Sequence, residues 1–104
     1  MQNESNGATV LLVGGSGGMS DRYRAVVEER GLTLRHFEKR VPNGTRHMLG
    51  KVAAVVIMVG MVSHALRDQV RGLVPNSAPI VYLRSASVSA LRAAVDRIGH
   101  ASRS

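Results

Sequence analysis

Two short, almost unbroken apolar runs, Ala8 to Val13 (ATVLLV) and Val52 to Val59 (VAAVVIMV), each end in glycine and each precede a stretch with helical apolar spacing. Short, continuously apolar runs of this kind are expected where a strand is covered on both faces, as in a parallel sheet flanked by helices. Pro79 to Leu83 (PIVYL) supplies a further strand. Leu32 to Phe37 alternates, with Leu32, Leu34 and His36 on one face and Thr33, Arg35 and Phe37 on the other, and is read as an edge strand.

Helices fall between and after these strands. Ser20 is expected to cap the first, Asp21 suits its positive end, Tyr23, Val26 and Val27 form its apolar stripe, and Gly31 ends it. Ser63 is expected to cap a second, whose Leu66, Val70, Leu73 and Val74 share a face until Pro75. Ser87 opens a last helix carrying Val88, Leu91, Val95 and Ile98. Pro42, Asn43 and Gly44 mark a turn, with a short helix expected around Thr45 to Leu49. Strands alternating with helices predict a small Rossmann-like three-layer α/β sandwich: a four-stranded parallel sheet in spatial order 2-1-3-4 with flanking helices. The expected domain spans residues 8–100, with residues 1–7 and 101–104 as flexible tails.

Composition narrows the function. With no cysteine among its 104 residues, the chain has no disulfide framework, thiolate zinc site or cysteine nucleophile, and the expected setting is the cytoplasm. The polar start MQNESNG is not a secretory signal, and Val52 to Val62, broken by Gly60, is too short to span a bilayer. The formal charge of +7 attracts anions, although arginines scattered on solvated helix faces account for most of it. Arg67, Arg71, Arg92 and Arg97 would meet nucleic-acid phosphates, but no aromatic platform or reading motif accompanies them, so nucleic acid is not the expected partner.

In an open parallel sheet, ligands bind beyond the carboxyl ends of the strands, where strand order reverses. Three loops converge there: Gly14 to Ser20 (GGSGGMS), Gly60 to His64 (GMVSH) and Arg84 to Ser89 (RSASVS). Gly15, Gly17 and Ser20 form a Gly-x-Gly-x-x-Ser spacing, close to the dinucleotide fingerprint without its third glycine. They read either as a phosphate cradle or as a tight turn needing positive φ, and a chain of this length suits a mononucleotide better than a dinucleotide. His64, at the first helical position, sits where the positive helix end favours a neutral ring able to accept a proton or bind a metal, or merely caps the loop. Arg84 with Ser85, Ser87 and Ser89 would cradle an anion, unless Ser87 only caps the helix. Met19, Met58 and Met61, with His36, His47 and His64, bring soft and nitrogen donors toward the rim, although such methionines usually fill cores. No hydrolytic zinc motif and no Ser-His-Asp set is present.

The segments VLLVGG, YRAVVEERG, MVSHAL and IVYLRSASVSALRAAV, in that order between about Thr9 and Val95, resemble the bacterial domain-of-unknown-function family 2325. The resemblance implies a Rossmann-like fold with Ser63 and His64, and Arg84 and Ser85, at its rim, and implies no settled activity. It also implies haem binding as in some members, with His64 the leading axial-ligand candidate and His36 a second metal candidate. Many relatives carry a histidine followed shortly by Asp-Gly-Gly at the second strand, whereas here His36 is followed by Phe37, Glu38, Lys39 and Arg40. The departure puts ligand contacts from that loop in question.

The expected function is therefore a non-catalytic small-ligand-binding or sensing domain. Gly15, Gly17, Ser20, Met61, Ser63, His64, Arg84, Ser85 and Ser87 would line the site for haem or, alternatively, an anionic nucleotide or phosphate ligand. An enzyme using His64 as general base is the rival reading, weakened by the lack of a second acid or base nearby in sequence. An exposed sheet edge favours a homodimer.

Overall fold

A computed structural model describes residues 8–42, 44–45, 51–60, 62–74 and 78–103, with side chains through Ile98. Four strands, β1 (Thr9–Val13), β2 (Thr33–Phe37), β3 (Val52–Met58) and β4 (Ile80–Leu83), form one sheet in the order β2-β1-β3-β4. All three pairings are parallel. The helices are α1 (Ser20–Glu28), α2 (His64–Leu73) and α3 (Val88–Arg103). This is the α/β sandwich predicted from the apolar runs.

Period-two alternation in the strands divides the core into two layers. Val10, Leu12, Leu34, Val56 and Met58 face α1 and α3, where they meet Tyr23, Val27, Leu91 and Val95. Leu11, Val13, Phe37, Val55 and Ile57 face α2 and meet Leu66 and Val70. Every residue of β1 is buried, because β1 is flanked by strands and covered on both faces. β2 at one edge shows the alternation instead, with Thr33 and Arg35 exposed and Leu34 and Phe37 buried.

One local expectation needs correction. Ser20 does not cap α1: a 3-10 turn, Gly17–Met19, precedes the helix, Met19 occupies the cap position without a side-chain bond, and Ser20 is the first helical residue. Its hydroxyl is drawn to the ring of His36. Helix α3 continues through Arg103, so residues 101–103 are helical. Of the short helix expected around Thr45 to Leu49, only Thr45 lies within the described residues, in a tight turn with its N–H and hydroxyl both on the Pro42 carbonyl.

Candidate functional site

Because the four strands run parallel, the loops after β1, β3 and β4 leave the same edge of the sheet. The β1 ladder runs one residue into its loop, with Gly14 N–H donating to the Phe37 carbonyl at 2.9 Å. Gly14 and Gly15 then turn the chain with φ of 92° and 78°. Such angles strain any residue with a Cβ, and one on Gly15 would stand 2.8 Å from Met58 Sδ and 3.1 Å from the Tyr23 hydroxyl. Gly15 is buried, so here the tight-turn reading holds: the glycine exists to let the loop pack on Tyr23 and Met58.

His36 secures this turn from β2. Its Nε2 lies 2.7 Å from the Gly14 carbonyl, which only accepts, so Nε2 carries a proton, and Nδ1 shares a hydrogen bond with the Ser20 hydroxyl. Tyr23 stands edge-on to the imidazole, with ring centroids 5.4 Å apart. Its hydroxyl donates to the Ala86 carbonyl at 2.7 Å, linking the β1 loop to the β4 loop. Both His36 nitrogens are thus spent on structure.

One side chain reaches the glycine loop from a place where no contact was expected. Glu38, the first residue beyond β2, accepts the Gly17 N–H on Oε2 at 3.0 Å. A Cβ on Gly17 would stand 2.5 Å from Glu38 Oε1, so any larger residue there would displace the exposed carboxylate from this contact. Both residues are exposed, leaving the pair open to exchange with a solute. The signal was present in the spacing: an acid about 20 residues beyond a glycine loop is the ribose-binding element of nucleotide folds.

Across the rim, the Ser63 hydroxyl accepts the Leu66 N–H at 3.1 Å and caps α2 as expected. His64 is exposed on the first turn, and Arg67 Nη2 donates to its Nδ1 at 2.6 Å. A guanidinium has no acceptor, so this contact leaves the proton of the ring on Nε2, which faces outward as a donor. Ser87 accepts the Ala90 N–H as the cap of α3, Ser85 accepts the Ser87 N–H, and Arg84 is exposed beside them. Met61 and His47 lie outside the described residues.

The donors expected for haem differ in exposure, with His64 at the surface and the methionines withdrawn from it. Met58 is fully buried and Met19 packs on the core. The lone pair of His64 Nδ1 is taken by Arg67, its Nε2 is protonated, and no contact joins it to His36. Among the described residues no group of three or more metal-binding side chains is assembled. No helix described is long and apolar enough to cross a membrane.

Fold and rim together define a small Rossmann-like α/β domain whose glycine loop is faced by an acid from the second strand. The chain belongs to the bacterial family described as uncharacterized protein conserved in bacteria, domain-of-unknown-function family 2325, which it matches over residues 9–98. No curated protein and no solved structure matches it.

Proposed function

We propose that this domain is a non-catalytic binding module that holds an anionic ribonucleotide at the strand-end rim. The carrying observation is the Glu38 carboxylate on the Gly17 amide, at a separation of 21 residues. A glycine loop lets backbone N–H groups approach phosphate, and an ionised acid at the end of the second strand accepts ribose hydroxyls. In the free protein the two satisfy each other. On binding, Glu38 exchanges the amide for the ribose diol and the Gly17 N–H passes to a phosphate oxygen. Arg84 and the Nε2–H of His64 add donors and positive charge from the neighbouring loops.

The test is calorimetric titration with ADP, 2′-deoxy-ADP and inorganic pyrophosphate, on the protein and on Glu38→Ala. ADP is expected to bind about tenfold tighter than the deoxy analogue, because the Glu38 carboxylate gives up the Gly17 amide and gains a charge-assisted hydrogen bond only where the 2′-hydroxyl is present, and Glu38→Ala should erase the difference. Equal binding of the two nucleotides would reject the ribose contact, and no binding of any probe would reject the site. Haem through His64 is the competing reading. A sharp haemin absorption band that His64→Ala removes would favour it over the nucleotide. An enzyme using His64 as base would need a second acid or base, and the ring's partner here is a guanidinium.

A further inference from the structure

The outer edge of β2 carries a cleft of about 260 Å³ that adjoins the rim at Glu38. Arginines enter it from three directions: Arg24 from α1 on one face of the strand, Arg35 from the opposite face, and Arg40 from the segment beyond the strand's carboxyl end. All three are exposed, and among the described residues neither Arg35 nor Arg40 has an acidic partner. The one carboxylate in the lining, Glu38, is turned to Gly17.

The floor of this cleft is backbone. Thr33 donates to Ala8, and Phe37 accepts from Gly14, so the odd-numbered residues of β2 direct their main-chain groups toward β1. Those of Leu34 and His36 therefore face outward, because successive peptide groups in a strand alternate sides. Among the described residues the Leu34 carbonyl is met by Arg24 Nη1, at 3.5 Å, the long limit of a hydrogen bond.

We infer that the β2 edge is a docking site for an extended acidic segment of a partner protein, added to the sheet as a further strand. The segment's N–H and C=O groups answer those of Leu34 and His36, and its carboxylates answer Arg24, Arg35 and Arg40. Arg24 surrenders its long bond to a peptide N–H and swings onto a carboxylate. A nucleic acid answers the arginines but has no donor row for the edge carbonyls. A second copy answers the edge but sets like charges against each other, with a formal charge of +7 on each chain.

The experiment is an NMR titration of the amide-labelled protein with an alternating Glu-Val peptide. Controls are an alternating Lys-Val peptide, a Glu-Val peptide N-methylated on the amides that would face β2, and a short single-stranded RNA. The Glu-Val peptide is expected to bind, to shift the Leu34 and His36 amides and to slow their hydrogen exchange. N-methylation should abolish binding, and Arg35→Glu with Arg40→Glu should weaken it about tenfold or more. Both substitutions are at exposed positions, and Arg35→Gln with Arg40→Gln serves if charge reversal disturbs folding. The inference is overturned if the N-methylated or Lys-Val peptide binds as well, if RNA binds more tightly to these residues, or if the free protein already dimerises through β2.

Discussion

The loop after β1 and the entry to α2 leave the same edge of the sheet, yet they are built in opposite ways. After β1 the chain turns through buried Gly14 and Gly15, and His36, Ser20 and Tyr23 fasten it to β2, α1 and the β4 loop. At α2, Ser63 and His64 are exposed and bond only within their own helix. The first loop is thus a structural joint whose outer lip, Gly17 with Glu38, is the part available to a ligand. The second is a surface whose side chains are free to answer one. Conspicuous residues and immobilised residues are different sets: His64 stands out in the sequence, and His36 carries the structure.

The sharpest way to break the comparison is Gly15→Ala. Positive φ and the close approach to Met58 Sδ should together cost about 3 kcal/mol of stability in urea unfolding, far more than a substitution at the α2 entry. Tyr23→Phe comes next. It leaves the Ala86 carbonyl without its donor at a part-buried site, and a loss of about 1.5 kcal/mol is expected, with faster hydrogen exchange in both the β1 and β4 loops. Ser63→Ala removes one helix cap and should cost about 1 kcal/mol. The smallest effect belongs to His64→Ala, within about 0.5 kcal/mol in the same assay, because the ring is exposed and its hydrogen bond is an exposed one to Arg67 on the same helix. A large loss at His64 with a small one at Gly15 would reverse the assignment of joint and surface.

The two sheet edges differ in a similar way. β2 presents three arginines around open backbone, whereas β4 presents Tyr82, 47% exposed, whose hydroxyl accepts from Arg71 at 2.8 Å. That hydrogen bond is the main cause raising the Arg71 guanidinium above its ordinary value. The exposed tyrosine is tied down by its neighbour, and the β2 arginines Arg35 and Arg40 are not.

Much of this was legible in the residues. The continuous apolar runs of β1 and β3 announced double coverage, the alternation in β2 announced an edge, and Ser63 and Ser87 were readable as caps because a cap acts on amides two or three residues away. Ser20 misled for the complementary reason. Its position predicts a cap, but a ring 16 residues away competes for its hydroxyl, and only folding brings that ring within reach. The glycine loop was visible as a motif, while its division into a buried turn at Gly15 and an exposed amide at Gly17 depends on Tyr23, Met58 and Glu38.

By itself, then, the sequence determined the α/β class and the parallel sheet with its strand order, because hydrophobic period and helix capping are local properties that survive without coordinates, and its VLLVGG, MVSHAL and IVYLRSAS segments carried the resemblance to the family. Tertiary structure alone decided which histidine is structural, which glycine meets an acid, and which arginines gather at an edge. Those outcomes rest on hydrogen bonds and charges a few ångströms long between residues far apart in the chain, and separation in sequence carries no information about separation in space until the sheet has formed.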